Sequence, residues 1–165
     1  MTIFVDADSC PRKARALILR AALRRGVPSV FAANRKIPGL PKTSLVRMAL
    51  CSGKEDAADD YIVERARKGD IAVTRDVPFA ARLVEKSVTV MNDRGRLFTR
   101  ENIRYYVSLR NVALELAQNN LGPERNAAYG AKALKMFAAE FDKQLSRLVR
   151  ETAADEPDGK SLFKI

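Results

Sequence analysis

Met1-Thr2-Ile3-Phe4-Val5-Asp6-Ala7-Asp8-Ser9-Cys10-Pro11 is a short apolar run that ends in two acids and a helix-starting signal. A run of this length, closed by turn-forming residues, reads as a buried strand. Ser9 reads as an N-cap and Pro11 as a first-turn proline, so a helix is expected from about Pro11 to Arg25, with Gly26 as its stop. Ala14, Leu17, Ile18, Ala21 and Ala22 recur at helical spacing and form its core stripe, while Lys13, Arg20 and Arg24 make one flank basic.

The same strand-then-helix unit recurs downstream. Strands are expected at Ser29 to Ala33, Leu45 to Cys51, Ile71 to Thr74 and Val88 to Met91, with a loop from Asn34 to Thr43. Helices are expected from Asp56 to Lys68, Val77 to Lys86, about Thr99 to Asn120, and about Asn126 to Arg150. The helix opening at Asp56 carries acids in its first turn, bases in its last and Gly69 beyond, all in accord with the helix dipole. This order predicts an α/β fold, a parallel sheet with helices on both faces, followed by two C-terminal helices. One domain over residues 1–150 and a disordered tail over 151–165 complete the expected organisation.

Composition narrows the chemistry. The 165 residues are 47% hydrophobic and 30% charged, which suits a globular domain and excludes collagen-like or disulfide-scaffold chains. With no histidine there is no Ser-His-Asp triad, no His-ligated zinc and no imidazole base. Two cysteines, Cys10 and Cys51, are too few for a four-thiolate zinc site. No apolar stretch approaches the ~18 residues of a membrane span and the first residues lack signal-peptide character, so a cytoplasmic protein without a membrane partner is expected.

The net charge of +10 is concentrated: Ser9 to Lys54 holds eleven Lys and Arg and no Asp or Glu. A segregated basic block points to a polyanion such as nucleic acid, whose phosphates release counterions on binding. Leu19 and Leu23 on the basic helix read either as a homodimer surface or as part of a wide core face.

In parallel sheets ligands gather beyond the carboxyl ends of the strands. There the expected topology collects Asp6 and Asp8 after strand one, Asp56 and Asp59 at the helix after strand three, Asp76 after strand four, and Asn92 with Asp93 after strand five. Any one of these acids alone is a cap or turn former. A group of them is different, because two carboxylates ~4 Å apart repel by about 4 kcal/mol at an effective dielectric of 20. Oxygen donors without imidazole suit Mg²⁺ or Mn²⁺, and with a neighbouring basic helix they point to phosphodiester hydrolysis. Asp6-Ala7-Asp8 also fits a haloacid-dehalogenase-like phosphatase with Asp6 as nucleophile, although no clear hydroxyl follows strand two. Ser9 is by itself a cap before it is a nucleophile.

The motifs Val5 to Pro11, Gly53 through Asp56 and Asp59 to Ile62, Gly69 to Ala80, and Asn92 with Arg94-Gly95 resemble the YaiI/YqxD family of uncharacterised bacterial proteins. The resemblance spans roughly Met1 to Phe141. That family is similar to PIN-type nuclease domains, which implies a PIN-like fold and RNA cleavage with Mg²⁺ or Mn²⁺. By this resemblance Asp6, Asp59 and Asp76 are the expected metal ligands, with Asp8 and Asp56 as additions; Asp6, Asp8, Asp59 and Asp76 form the catalytic set. Ser9, Arg12, Lys13, Asn34, Arg75, Asn92 and Arg94 are the candidate contacts to the strand. The family's usual small residue is replaced by Arg75, and of its T-G-G-P stretch only Leu121-Gly122-Pro123 remains. Nucleic-acid binding without catalysis is the alternative in a different class.

Overall fold

Alternation along the strands divides the protein into two cores. The computed structural model describes residues 1–119, 121 and 129–155. Its strands are β1 (Ile3–Asp6), β2 (Ser29–Ala33), β3 (Val46–Leu50), β4 (Ile71–Val73), β5 (Thr89–Met91) and β6 (Leu97–Phe98). Between and after them lie α1 (Arg12–Arg25), α2 (Ala57–Arg65), α3 (Val77–Glu85), α4 (Ile103–Gln118) and α5 (Ala131–Asp155). Ile3, Val5, Phe31, Ile71, Val73 and Met91 point to one face and pack with Ile18 of α1 and with Phe137, Phe141 and Leu145 of α5. Phe4, Ala32, Ala72 and Val90 point to the other and pack with Ile62 of α2, Phe79 and Leu83 of α3 and Ile103 of α4. Full burial of a side chain such as Phe141 contributes about 2–3 kcal/mol, so each face is closed by its helices.

The sheet order is β3-β2-β1-β4-β5-β6. The pairs from β3 through to β5 are parallel and β6 joins β5 antiparallel. The α/β expectation of a mainly parallel sheet with helices on both faces and extra C-terminal helices therefore stands. β6 was not expected, because two residues after a turn give too little pattern to read. The chain runs outward from β1 through β2 to β3, then returns to place β4 on the other side of β1. The crevice between the ends of β1 and β4 is thus a topological switch point.

Two caps differ from expectation. Pro11 occupies the position before α1 and Ser9 does not cap it, since its hydroxyl is drawn to Asp6. Asn102, not Thr99, precedes α4, and its side-chain oxygen accepts the Thr99 N–H. α2 ends at Arg65, short of Lys68, where Ala66 turns extended and buries against the second core. α5 continues to Asp155, five residues past the expected end. Residues 156–165 of the expected tail, and Gly122-Pro123 with the expected helix start near Asn126, lie outside the described residues. Leu19 packs against the first core while Leu23 stays exposed, so the two do not form one exposed row. No described helix is long and apolar enough to cross a membrane.

The turn between β5 and β6 touches α5 closely. Gly95 has φ +83°, and a Cβ there would meet the Met136 carbonyl oxygen at 2.7 Å. Both the left-handed backbone and the backbone neighbour resist a side chain. Gly95→Ala is expected to lower unfolding free energy by at least about 2 kcal/mol in urea titration. A cost below 1 kcal/mol would show that α5 yields at this contact.

Candidate acidic site and adjoining cleft

Asp6 is the last residue of β1 and shares the side of Phe4, so its carboxyl leaves the sheet toward α2 and α3. It is only 6% exposed. The Ser9 hydroxyl donates to its Oδ2 at 2.5 Å and the Thr74 hydroxyl donates to the same oxygen at 2.8 Å. Thr74 Oγ1 in turn accepts the Asp76 N–H at 3.0 Å, and Ser9 Oγ accepts the Arg75 N–H at 3.3 Å. The ends of β1 and β4 are therefore laced through two hydroxyls, which fix Asp6 in one orientation. Asp76 precedes α3 and its Oδ1 accepts the Phe79 N–H at 2.7 Å, so it is the helix cap that its position alone suggests. The other Asp76 oxygen takes no part in that cap bond.

Asp59 completes the group from the first turn of α2. Burial first, and then the charges of Asp6, Asp76 and Asp56, push its carboxyl up to about 7. Arg82 opposes this shift without cancelling it and pairs with Asp60 at 2.7 Å, while Arg75 pairs with Asp93. Asp56 sits exposed at the head of α2 with φ 60° and makes no side-chain cap. The structure thus brings Asp6, Asp59, Asp76 and Asp56 into electrostatic contact. Among the described residues, no three acid or thiol side chains are grouped closely enough to hold an ion as they stand. Their donor type, carboxylate oxygen, suits a hard cation that keeps several waters and uses one or two protein carboxylates.

The other expected residues separate from this group. Asp8 turns toward the end of β2, where it accepts the Asn34 N–H at 2.6 Å and faces Arg35 at 3.6 Å. Asp93 is 1% exposed and receives a two-pronged bond from Arg75, at 2.9 Å from Nε and 2.5 Å from Nη2. Of the acids expected at this edge, Asp93 and Asp8 are therefore each met by an arginine. Arg12 lines a different hollow, beside Ile37 and Leu40, and Lys13 is exposed on α1. The Asn92 side-chain oxygen accepts the N–H groups of Arg94 and Arg96 and so serves its own turn.

Beside the acids opens a cleft of about 630 Å³ whose walls include Asp8, Ser9, Arg75, Arg94, Arg96, Tyr106 and Tyr129. The Tyr129 hydroxyl donates to the Asp93 carbonyl at 2.6 Å, and its ring lies 5.9 Å from the Arg75 guanidinium and 6.0 Å from that of Arg94. Arg96 lies over the Tyr106 ring at 4.7 Å. Cys10 also lines the cleft, and burial followed by the Asp93 charge pushes its thiol up to about 12, so it stays neutral. Sequence reasoning missed Thr74, Arg96, Tyr106 and Tyr129. A hydroxyl one residue short of Arg75-Asp76 was a usable signal for Thr74; nothing local marks Tyr129, which lies 36 residues from its partner.

The family described as "Uncharacterized BCR, YaiI/YqxD family" matches residues 4–147. A UPF0178 protein of Treponema denticola is 43% identical over 155 residues, covering 94% of this chain and 98% of the relative. One from Treponema pallidum is 40% identical over 150 residues, covering 91% and 84%, and one from Myxococcus xanthus is 41% identical over 150 residues, covering 91% and 97%. No solved structure matches the chain.

Proposed function

Because the chain belongs to the YaiI/YqxD family of uncharacterised bacterial proteins, which supplies kinship and no activity, we propose its function from the acidic edge: a divalent-metal-dependent nuclease of PIN-like type, acting on RNA in preference to DNA. The observation that carries this reading is that Asp59 faces the charges of Asp6 and Asp76 at the switch point, and burial together with this repulsion raises it to about 7. A protein gains nothing in stability from such repulsion, and sites that concentrate like charge in this way are where function tends to lie. Asp6, Asp59 and Asp76 would hold Mg²⁺ or Mn²⁺. When bound, the ion neutralises the carboxylates and makes an attacking water more acidic. Ser9 and Thr74 keep Asp6 aimed into the crevice, and the Asp76 cap keeps its carboxyl at the head of α3.

Asp6 as a phosphatase nucleophile is less well supported, since it is buried and its Oδ2 already accepts two hydroxyls. Strand binding without cleavage is favoured by one observation, the absence of a closed three-acid group among the described residues. Calorimetry separates the readings: Mn²⁺ is expected to bind the wild-type chain with micromolar-to-millimolar affinity and to bind Asp76→Asn at least about tenfold more weakly. RNA cleavage should require the ion. Equal Mn²⁺ binding by both proteins would remove the metal from this site.

A further inference from the structure

α4 is apolar on two sides, and its own chain covers one of them. Ile103 and Val107 lie on the side that packs against the second core. From Ser108 to Asn119 every residue except Leu114 is exposed. Tyr105, Leu109, Val112 and Leu116 nevertheless recur at spacings of four, three and four, which at roughly 100° per residue gathers them within roughly 60° on the opposite side. They are between 38% and 61% exposed, although Tyr105 also meets the neighbouring Tyr106 ring at 5.3 Å. Leu121 is exposed too and extends the row, its N–H donating to the Leu116 carbonyl at 2.8 Å. The other exposed large apolar residues among those described, Leu23, Leu50 and Met136, stand singly on α1, β3 and α5. Scattered single residues are ordinary, whereas a helix with a second apolar stripe calls for a second neighbour.

The charges beside the stripe say what that neighbour is. Arg104 in the first turn and Glu115 in the last lie along the same edge of the stripe, both exposed, and neither makes an ion pair among the described residues. Each also sits at the wrong end for its own helix dipole, which favours acids in the first turn and bases in the last. A second α4 running the opposite way corrects both. We propose that two copies of the chain pair through α4, antiparallel about a two-fold axis, with Leu109 of each copy against Val112 of the other and Tyr105 of each against Leu116 of the other. In that register Arg104 of one copy stands about 3 Å along the axis from Glu115 of the other, and the symmetry makes this pair twice. A parallel pairing instead sets Arg104 beside Arg104 and Glu115 beside Glu115. Ser108 and Ala113, small residues flanking the stripe, let the two backbones approach. The seam is about 24 Å long, modest beside the about 800 Å² per partner of a standard interface, so micromolar association is expected. None of these side chains belongs to the acidic edge, and the inference stands without the nuclease reading.

The test is sedimentation equilibrium of the full chain over a range of concentrations, with melting curves in parallel. The wild-type protein is expected to move from one chain to two as its concentration rises through the micromolar range. Leu109→Gln should raise the dissociation constant at least about tenfold and leave the melting temperature of the dilute monomer unchanged, because position 109 is exposed there. Arg104→Glu and Glu115→Arg should each weaken the dimer by about tenfold, since each reversal acts at both symmetry-related pairs. Combining the two reversals should bring the dissociation constant back to within about threefold of wild type. The reversals read the interface even if Leu109→Gln fails to fold. A wild-type chain still monomeric at about 500 µM would overturn the proposal, and a Leu109→Gln monomer that then melts earlier would show that the stripe is covered from within its own chain. A dimer that Leu109→Gln leaves intact would place the contact elsewhere and overturn it too. A combined reversal no tighter than either single one would overturn the antiparallel pairing.

Discussion

Asp59→Asn is expected to abolish Mn²⁺-dependent RNA cleavage, by at least about a hundredfold, and at the same time to make the protein more stable above pH 7. The two effects share one cause. In the folded chain the Asp59 carboxyl holds its proton up to about 7, against 3.8 for an ordinary aspartate, because it is partly buried and faces Asp6, Asp76 and Asp56. Between those two pH values the folded state binds the proton that the unfolded state has already released. Stability therefore falls as pH rises through this window, and the loss is complete above about 7. Asparagine carries no charge at any pH and removes the decline. Melting curves of the two proteins should nearly coincide at pH 4 and separate progressively toward pH 8, with the variant higher. Mn²⁺ should raise the wild-type melting temperature at pH 8, where Asp59 is ionised, and raise it less at pH 6, where a proton competes. The variant should respond little at either pH. Parallel melting curves across the range would mean that Asp59 does not feel its neighbours. A full Mn²⁺ response in the variant would mean that the ion binds elsewhere.

The sequence made β1 to β5, the helices and the placement of Asp6, Asp59 and Asp76 at one edge of the sheet legible for one reason: each depends on local pattern plus a general rule. Apolar runs bounded by turn formers identify β1, β2 and β4, and parallel topology sends their carboxyl ends to one edge. Chain order alone does not reveal that β4 returns to lie beside β1, yet that return sets Thr74 against Asp6 across 68 residues. Side-chain hydrogen bonds also decide between roles that sequence leaves equal. Ser9 carries the standard signal of a helix cap, but a carboxylate three residues earlier takes its hydroxyl instead. Asp8 and Asp6 are two residues apart, and the departure from strand geometry after Asp6 is what sends one to the crevice and the other to Asn34. Tyr129 reaches the cleft only because α5 packs on the first core and brings the segment before it against the turn after β5. That is tertiary information with no local trace.

The pair Arg75 and Asp93 gives the largest expected stability effect at the cleft, and the effect is asymmetric. Asp93 has a side chain 2% exposed, whereas that of Arg75 is 44% exposed. Removing the cation strands a carboxylate with almost no access to water, so Arg75→Met is expected to cost about 3 kcal/mol in urea unfolding. Removing the anion leaves a guanidinium that can turn to solvent, so Asp93→Asn should cost only about 1 kcal/mol. Adding Asp93→Asn to Arg75→Met should then restore part of the loss, because the stranded charge is gone. Arg75 also carries the N–H that bonds Ser9, and it lies between Thr74 and Asp76 in the chain. Loosening its side chain should disturb the lacing that orients Asp6, so strand cleavage in Arg75→Met should fall more than strand binding in chelator. If Asp93→Asn proves as costly as Arg75→Met, the pair is held by geometry at the turn, and the difference in burial does not govern its energetics.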